Sequence, residues 1–376
     1  MEFVDLKKQY RELKDEMDAA VLGAMGAADF ILGRDVKELE GQLAEYAGRK
    51  HCVSCANGTD ALILALMAYG VGKGDGVFVP TFTFYASAEA VASTGATPIF
   101  VDVDSRTFNL CPESLAKAAE RVKREGRLRP GAVMAVDLFG QPADYQAIDA
   151  IAAEYNLLVV EDGAQGFGGS VKGKRACSFG DISTTSFFPA KPLGCYGDGG
   201  AVFTDEDKVK DTLESLRAHG KGRDKYDNVR LGLNSRLDTV QAAVLKVKLR
   251  AFREFELKRR QEIAAGYGER LAGAVETPHL LSGFSSGYAQ YSILAENEAQ
   301  RDRIQEALKE LGIPSMIYYK KPMHRQTVFR NNLSAYWGFP QAEKLSETIL
   351  SLPMHAYLSD SEMEAVCQGV WKGVKG

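Results

Sequence analysis

NLLVVEDGAQGFGG, residues 156–169, is an apolar run that ends in two acids and passes directly into a glycine-rich loop. Apolar residues at consecutive positions, rather than at every second one, mark a strand buried on both faces. Outward from it the same kind of run recurs: HCVSC (51–55), GVFVP (76–80), TPIFVDV (97–103), AVMAVDL (132–138), ISTTSFF (182–188) and GAVFT (200–204). With the first run that makes seven strands. Helical patterns at 60–68, 113–123 and 145–155 lie between them. The alternation predicts an α/β domain whose sheet is covered by helices on both sides.

After Asn234 the chain turns helical and charged through LDTVQAAVLKVKLRAFREFELKRRQEIAAGY (237–267). Glu254, Glu256 and Glu262 interleave with its basic residues, which predicts a solvated connecting helix rather than an anion-binding one. A smaller α+β segment follows, with strand-like YAQYSILA (288–295) and SMIYY (315–319), a helix near 300–311 and a last helix after Ser359. The expected division is a large domain over 1–250 and a small one over 251–376.

The 376 residues carry 46 Lys and Arg against 50 Asp and Glu, a net charge of −4. Charge this balanced offers no footprint for nucleic acid or an anionic membrane. The longest apolar stretch, 61–72, is well short of a bilayer span, and the charged N-terminus has no apolar signal core, so a cytoplasmic protein is expected. The six cysteines are widely spread, as reduced thiols would be. Cys52 and Cys55 form a CxxC, but residues three apart on a strand face opposite sides and no second pair completes a zinc site.

Three constellations carry chemistry. In the first, strand HCVSC leads through Ala56-Asn57-Gly58-Thr59 into a helix opening at Asp60. Gly58 allows close backbone approach, Thr59 suits the N-cap, and the free N–H groups of the first turn suit a phosphate; the competing reading is a capped helix with nothing bound. In the second, Glu161-Asp162 emerges at a strand's carboxyl end, where α/β sheets bind ligands, although a turn-forming Asp-Gly is equally consistent. The third is SFFPAKPLGCYGDGG (186–200), whose glycines lead into a strand instead of a helix and so fail the dinucleotide fingerprint. Lys191 within it would ordinarily be an exposed side chain. Its company changes that reading: an amine, an anion and a phosphate cup are the three attachments that pyridoxal phosphate needs.

At this point the sequence resembles the fold-type I, pyridoxal phosphate-dependent enzymes of the DegT/StrS-type sugar-nucleotide aminotransferase family, over essentially the whole chain. The matching motifs are FILG (30–33), ANGTDAL (56–62), PTFTFYASAEAV (80–91), FVDVD (100–104), EDGAQGFGG (161–169), SFFPAKPLGCYGDGGA (186–201), NSRLDTVQAA (234–243), IYYKKPMHRQ (317–326) and SLPMH (351–355). The resemblance implies a seven-stranded, mostly parallel sheet sandwiched by helices, with a smaller C-terminal α+β domain. It implies that Lys191 holds the cofactor as a Schiff base and Asp162 pairs with the pyridine nitrogen. Gln165 would approach the ring's phenolic oxygen, Phe84 would stack on the ring, and Gly58, Thr59 and Ser186 would hold the phosphate. Asn234 would reach the phosphate of a neighbouring subunit, which implies a homodimer with composite sites.

The closest likeness is to the branch acting on UDP-2-acetamido-2-deoxy-3-oxo-glucuronate for O-antigen sugars. It implies ping-pong transfer from glutamate, released as 2-oxoglutarate, to a keto nucleotide sugar. Arg236 is then the candidate clamp for an anionic group, with a structural ion pair as its competing role. Phe30, Tyr318, Tyr319 and His324 fall at substrate-side positions, and His324 and His355 also suit structural packing. Three residues depart from the branch's pattern: Tyr318 stands in place of histidine, Phe30 in place of tyrosine, and Ala190 in place of serine. These changes leave the cofactor chemistry untouched and leave the sugar open. Other 3-oxo or 4-oxo sugars, or a non-catalytic pyridoxal phosphate-binding regulator, are the alternatives; a histidine-bearing dehydratase is excluded by Lys191.

Overall fold

The computed structural model describes residues 1–224 and 226–376. All seven expected runs are strands of one sheet: β1 His51–Cys55, β2 Asp75–Pro80, β3 Thr97–Val101, β4 Arg129–Val136, β5 Leu158–Asp162, β6 Ile182–Ser186 and β7 Gly200–Thr204. Their order is β1-β7-β6-β5-β4-β2-β3. Strands β2 to β6 run parallel, and β7 is antiparallel to both β1 and β6.

Both faces are buried, as the continuous apolar runs require. Val77, Val79 and Met134 point to one side, where they pack with α4 Gly58–Ala68, α5 Tyr85–Ser93 and α8 Asp207–Leu216. Phe78, Val133 and Ala135 point to the other, against α6 Pro112–Glu125 and α7 Tyr145–Tyr155. Each fully buried Val, Leu or Phe contributes roughly 1.5–3 kcal/mol, so two such layers make the sheet the rigid base of the molecule. Cys52 and Cys55 separate between the two faces, and all six thiols are free.

The charged segment after Asn234 is helical and solvated along one face, as expected, but its other sides are packed. It forms α9 Thr239–Ala251, a π-helical turn Phe252–Glu256 and α10 Leu257–Leu271, one continuous spine through the expected boundary at 250/251. The N-terminal helices α2 Lys14–Ala27 and α3 Arg34–Ala47 pack against α9. Lys248, Glu256 and Arg260 are buried by this packing, while Arg250, Glu254, Lys258 and Glu262, four residues apart, form an exposed charged stripe.

The second core lies between α10, β8 Tyr291–Leu294, α11 Glu298–Glu310, β9 Ile349–Leu352 and α13 Asp360–Lys375. Between these elements the chain returns to the large sheet: Met323, Phe329, Phe339, Ala342 and Leu345 belong to the large core. A division at residue 250 therefore cuts the sequence more cleanly than it cuts the packing. SMIYY is not a strand; Met316 makes a single bridge to Ser351, and the chain turns at Tyr318. No helix among the described residues is long and apolar enough to cross a membrane.

Candidate active site

Parallel β4, β5 and β6 end on the same side, and Asp162 is the last residue of β5. Its side chain is buried, 4% exposed. Oδ2 accepts the Ser87 hydroxyl at 2.7 Å and Oδ1 accepts the Ala164 N–H at 3.2 Å. Burial raises the carboxyl's affinity for a proton, while the Ser87 and Ala164 hydrogen bonds and the Lys191 charge oppose it. Lys191 sits in a turn closed by its own N–H to Phe188 O at 2.8 Å. Burial draws its amine down to about 8, against the pull of Asp162. A lysine in this state is a usable nucleophile near neutral pH.

The helix start opposite is built differently from expectation. Asn57, not Thr59, is the N-cap of α4: its Oδ1 accepts the Asp60 N–H at 2.8 Å, and the helix begins at Gly58. Asn57 is in extended conformation and reaches the third helical residue, which places Thr59 inside the first turn. The N–H groups of Gly58 and Thr59 have no intrahelical carbonyl to meet. Ser186, at the end of β6, closes on them so tightly that a Cβ at Gly58 would lie 2.6 Å from Ser186 Cβ. A Cβ at Gly200 would lie 2.4 Å from Asn57 O. Orphan amides, a hydroxyl and a backbone bared by two glycines form a cradle that fits a phosphate, with Asp162 and Lys191 alongside. The residues present therefore fit pyridoxal phosphate.

Gln165 links the two halves. Its Oε1 accepts the Phe139 N–H at 2.8 Å and its Nε2 donates to the Tyr319 hydroxyl at 3.0 Å. Tyr319 faces Phe84 at 6.3 Å between ring centroids, and Phe84 is 54% exposed, an apolar ring open at the mouth. Tyr318 lies between Tyr319 and Phe3, at 5.7 and 6.1 Å.

Asn234, Arg236 and Phe30 gather at a different edge. Arg236 Nη2 donates to Asn234 Oδ1 at 2.6 Å, and Phe30 O accepts the Thr239 N–H at 2.9 Å. Ser235 between them accepts the Ala56 N–H at 3.1 Å, tying this edge to the loop before α4. Asn234 and Phe30 are exposed. No ion pair joins Arg236 to a carboxylate among the described residues.

His324 departs from its substrate-side expectation. It is 5% exposed, with Nδ1 at 2.7 Å from Thr81 Oγ1 and Nε2 at 3.2 Å from Glu343 Oε1. Both ring nitrogens are engaged in packing the 323–325 turn onto the sheet, which leaves neither for a ligand. His355 is buried as well, and burial pulls it down to about 4, so it is neutral.

Sequence reasoning missed Ser87, Ser235 and the Phe139 N–H. No spacing betrays them: Ser87 is three residues into a helix, and the Phe139 amide depends on a backbone held at φ 60°.

A model of the DegT/DnrJ/EryC1/StrS aminotransferase family matches residues 11–371. A UDP-2-acetamido-2-deoxy-3-oxo-D-glucuronate aminotransferase of Pseudomonas aeruginosa is 44% identical, over 98% of both chains. A pleiotropic regulatory protein of Geobacillus stearothermophilus is 41% identical, over 98% of this chain and 96% of its own. Among solved structures, a DegT DnrJ EryC1 StrS aminotransferase from Brucella abortus is 47% identical, with a TM-score of 0.96 over 98% of each chain.

Proposed function

Since this chain belongs to the DegT/DnrJ/EryC1/StrS aminotransferase family, a pyridoxal phosphate-dependent one, we propose that it moves an amino group from glutamate to a UDP-linked 3-oxo-N-acetyl hexuronate. The product would serve surface polysaccharide (O-antigen) synthesis in the cytoplasm, and the working unit is a homodimer. The observation that carries the substrate reading is Arg236, which pairs with no carboxylate among the described residues and suits the sugar's 6-carboxylate.

When bound, the cofactor supplies an aldehyde carbon and an electron-accepting ring. Asp162, fixed by Ser87, holds the proton on the pyridine nitrogen. Gly58, Thr59 and Ser186 grip the phosphate, joined by Asn234 of a second copy of the chain. Gln165 orients the phenolic oxygen and Phe84 covers the ring face. Lys191 anchors the cofactor and, when released, takes the proton from the donor's α-carbon with an amine that burial keeps near its working pH. Phe30, Tyr318 and Tyr319 line the sugar's approach.

The test is to convert the protein to its amine-loaded form and offer keto nucleotide sugars with and without a 6-carboxylate. Consumption of the uronates is expected; reaction of neutral sugars alone would overturn the Arg236 clamp. Lys191→Ala should abolish turnover, and a near-normal rate in that variant would sink the whole reading. The name of the Geobacillus relative favours a second reading, a regulator that binds the cofactor without catalysis. Bleaching of the yellow protein by glutamate argues for the enzyme, and indifference to every amino donor for the regulator.

A further inference from the structure

Two more carboxyl groups lie beneath the site and take no part in the chemistry above. Asp137 follows β4 and Glu161 immediately precedes Asp162 on β5; each is 0% exposed. Glu161 accepts the Cys177 N–H at 2.5 Å through Oε1 and the Phe179 N–H at 2.6 Å through Oε2. Asp137 uses only Oδ1, which accepts the Ala143 N–H at 3.0 Å and the Tyr145 hydroxyl at 2.8 Å. Its Oδ2 receives no N–H or O–H from a described residue. The register of β4 on β5, with Ala135 opposite Glu161 and Val136 opposite Asp162, sets the two carboxyl groups on the same face of neighbouring strands.

Two carboxyl groups buried on the same face of neighbouring strands can meet only when a proton lies between them. Glu161 has committed both oxygens to N–H donors and is the ionised partner, so Oδ2 of Asp137 is the place left for the proton. Gly166 seals that oxygen from above: a Cβ there would lie 2.4 Å from Oδ2. Asp137 is also joined to the cofactor-side acid, its backbone N–H donating to Asp162 O at 3.1 Å.

We propose that Asp137 is a positioning residue that keeps a proton shared with Glu161, so that the end of the sheet holds one buried negative charge fewer and Asp162 stays ionised against the pyridine nitrogen. The proposal rests on the role given to Asp162 above. A second charge behind Asp162 would raise its own affinity for a proton, and a neutral Asp162 cannot hold a pyridinium. The titratable groups acting on the pair are Tyr145 from α7, Asp162 from β5, Cys177 from the following loop, and Arg49, whose guanidinium is bonded to Phe179 O and Gly180 O. Burial and the Glu161 charge push the Asp137 carboxyl well above the usual aspartate range. The native chain thus keeps a proton that the unfolded chain has released, and its stability falls as pH rises between the two values.

Asp137→Asn retains an acceptor for Ala143 and Tyr145 and offers Glu161 an N–H in place of the proton. In urea unfolding of the cofactor-free protein from about pH 5 to 8, the wild-type unfolding constant should rise relative to that of Asp137→Asn by up to about tenfold per pH unit. Parallel curves overturn the shared proton. Should the variant not fold, the infrared band of a protonated carboxyl is expected in wild-type protein at neutral pH and should survive Asp162→Asn; its absence overturns the idea equally. With cofactor bound, nitrogen NMR should show the pyridine nitrogen keeping its proton to higher pH in Asp137→Asn than in wild type, and identical titrations overturn the positioning role. A nitrogen unprotonated in both proteins, beside divergent unfolding curves, overturns the Asp162 assignment and with it the positioning role, while the shared proton stands.

Discussion

Lys191 is chemically ordinary until its surroundings act on it. Burial lowers its amine to about 8, and Asp162 prevents it from falling further. Below that value the protonated amine has no lone pair to offer, so recombination of cofactor-free protein with pyridoxal phosphate should accelerate about tenfold per pH unit and level off above about pH 8. Stopped-flow absorbance checks this, and a rate still climbing through pH 10 would place the amine in water instead. At this scale the sequence was partly legible. Neither Lys191 nor Asp162 is decisive alone; they stood out together, because an amine, an anion and a phosphate-suited helix start make one set of attachments. Ser87 did not, because a serine in a helix's first turns reads as an ordinary helical residue, and only folding brings its hydroxyl to 2.7 Å from an acid 75 positions away. His324 was open between a substrate-side and a packing role, and the sequence could not choose because Thr81 and Glu343, which meet its two nitrogens, are distant along the chain.

The strands were the most legible elements, since burial on both faces writes itself into consecutive positions. Helix starts were less so. Asn57 and Thr59 are both competent caps, and the choice is settled by which backbone is extended where the strand ends. Replacing Asn57 with Ala should cost about 1 kcal/mol in urea unfolding and weaken cofactor binding in the same variant, because the first-turn amides lose the bond that fixes their direction. A Thr59→Ala change should leave the helix cap intact. SMIYY shows the limit of strand propensity: β-branched and aromatic residues favour pairing, but a turn at Tyr318 spends them on the cofactor side instead.

Across the whole molecule, the N-terminal segment fastens the two cores. Phe3 O accepts the Met354 N–H at 3.2 Å, Lys8 pairs with Glu362 at 2.9 Å, and Gln9 Nε2 donates to Glu256 at 2.8 Å. Composite sites make a prediction at this scale. Lys191→Ala and Asn234→Ala chains are each deficient alone, but mixed dimers hold one site with both residues intact, so co-refolding equal amounts should restore about a quarter of wild-type activity. No recovery would mean that Asn234 serves its own chain. By itself the sequence determined the α/β sheet, its seven strands and the chemical kinds of group at their ends, because apolar periodicity and turn chemistry are local properties of the chain. Only the tertiary structure decided which acids are buried together, that His324 and His355 are packed, and that the charged helix after Asn234 is wet along one face and buried along the others. Those outcomes depend on distances between residues far apart in the chain, and on the water that folding removes from between them.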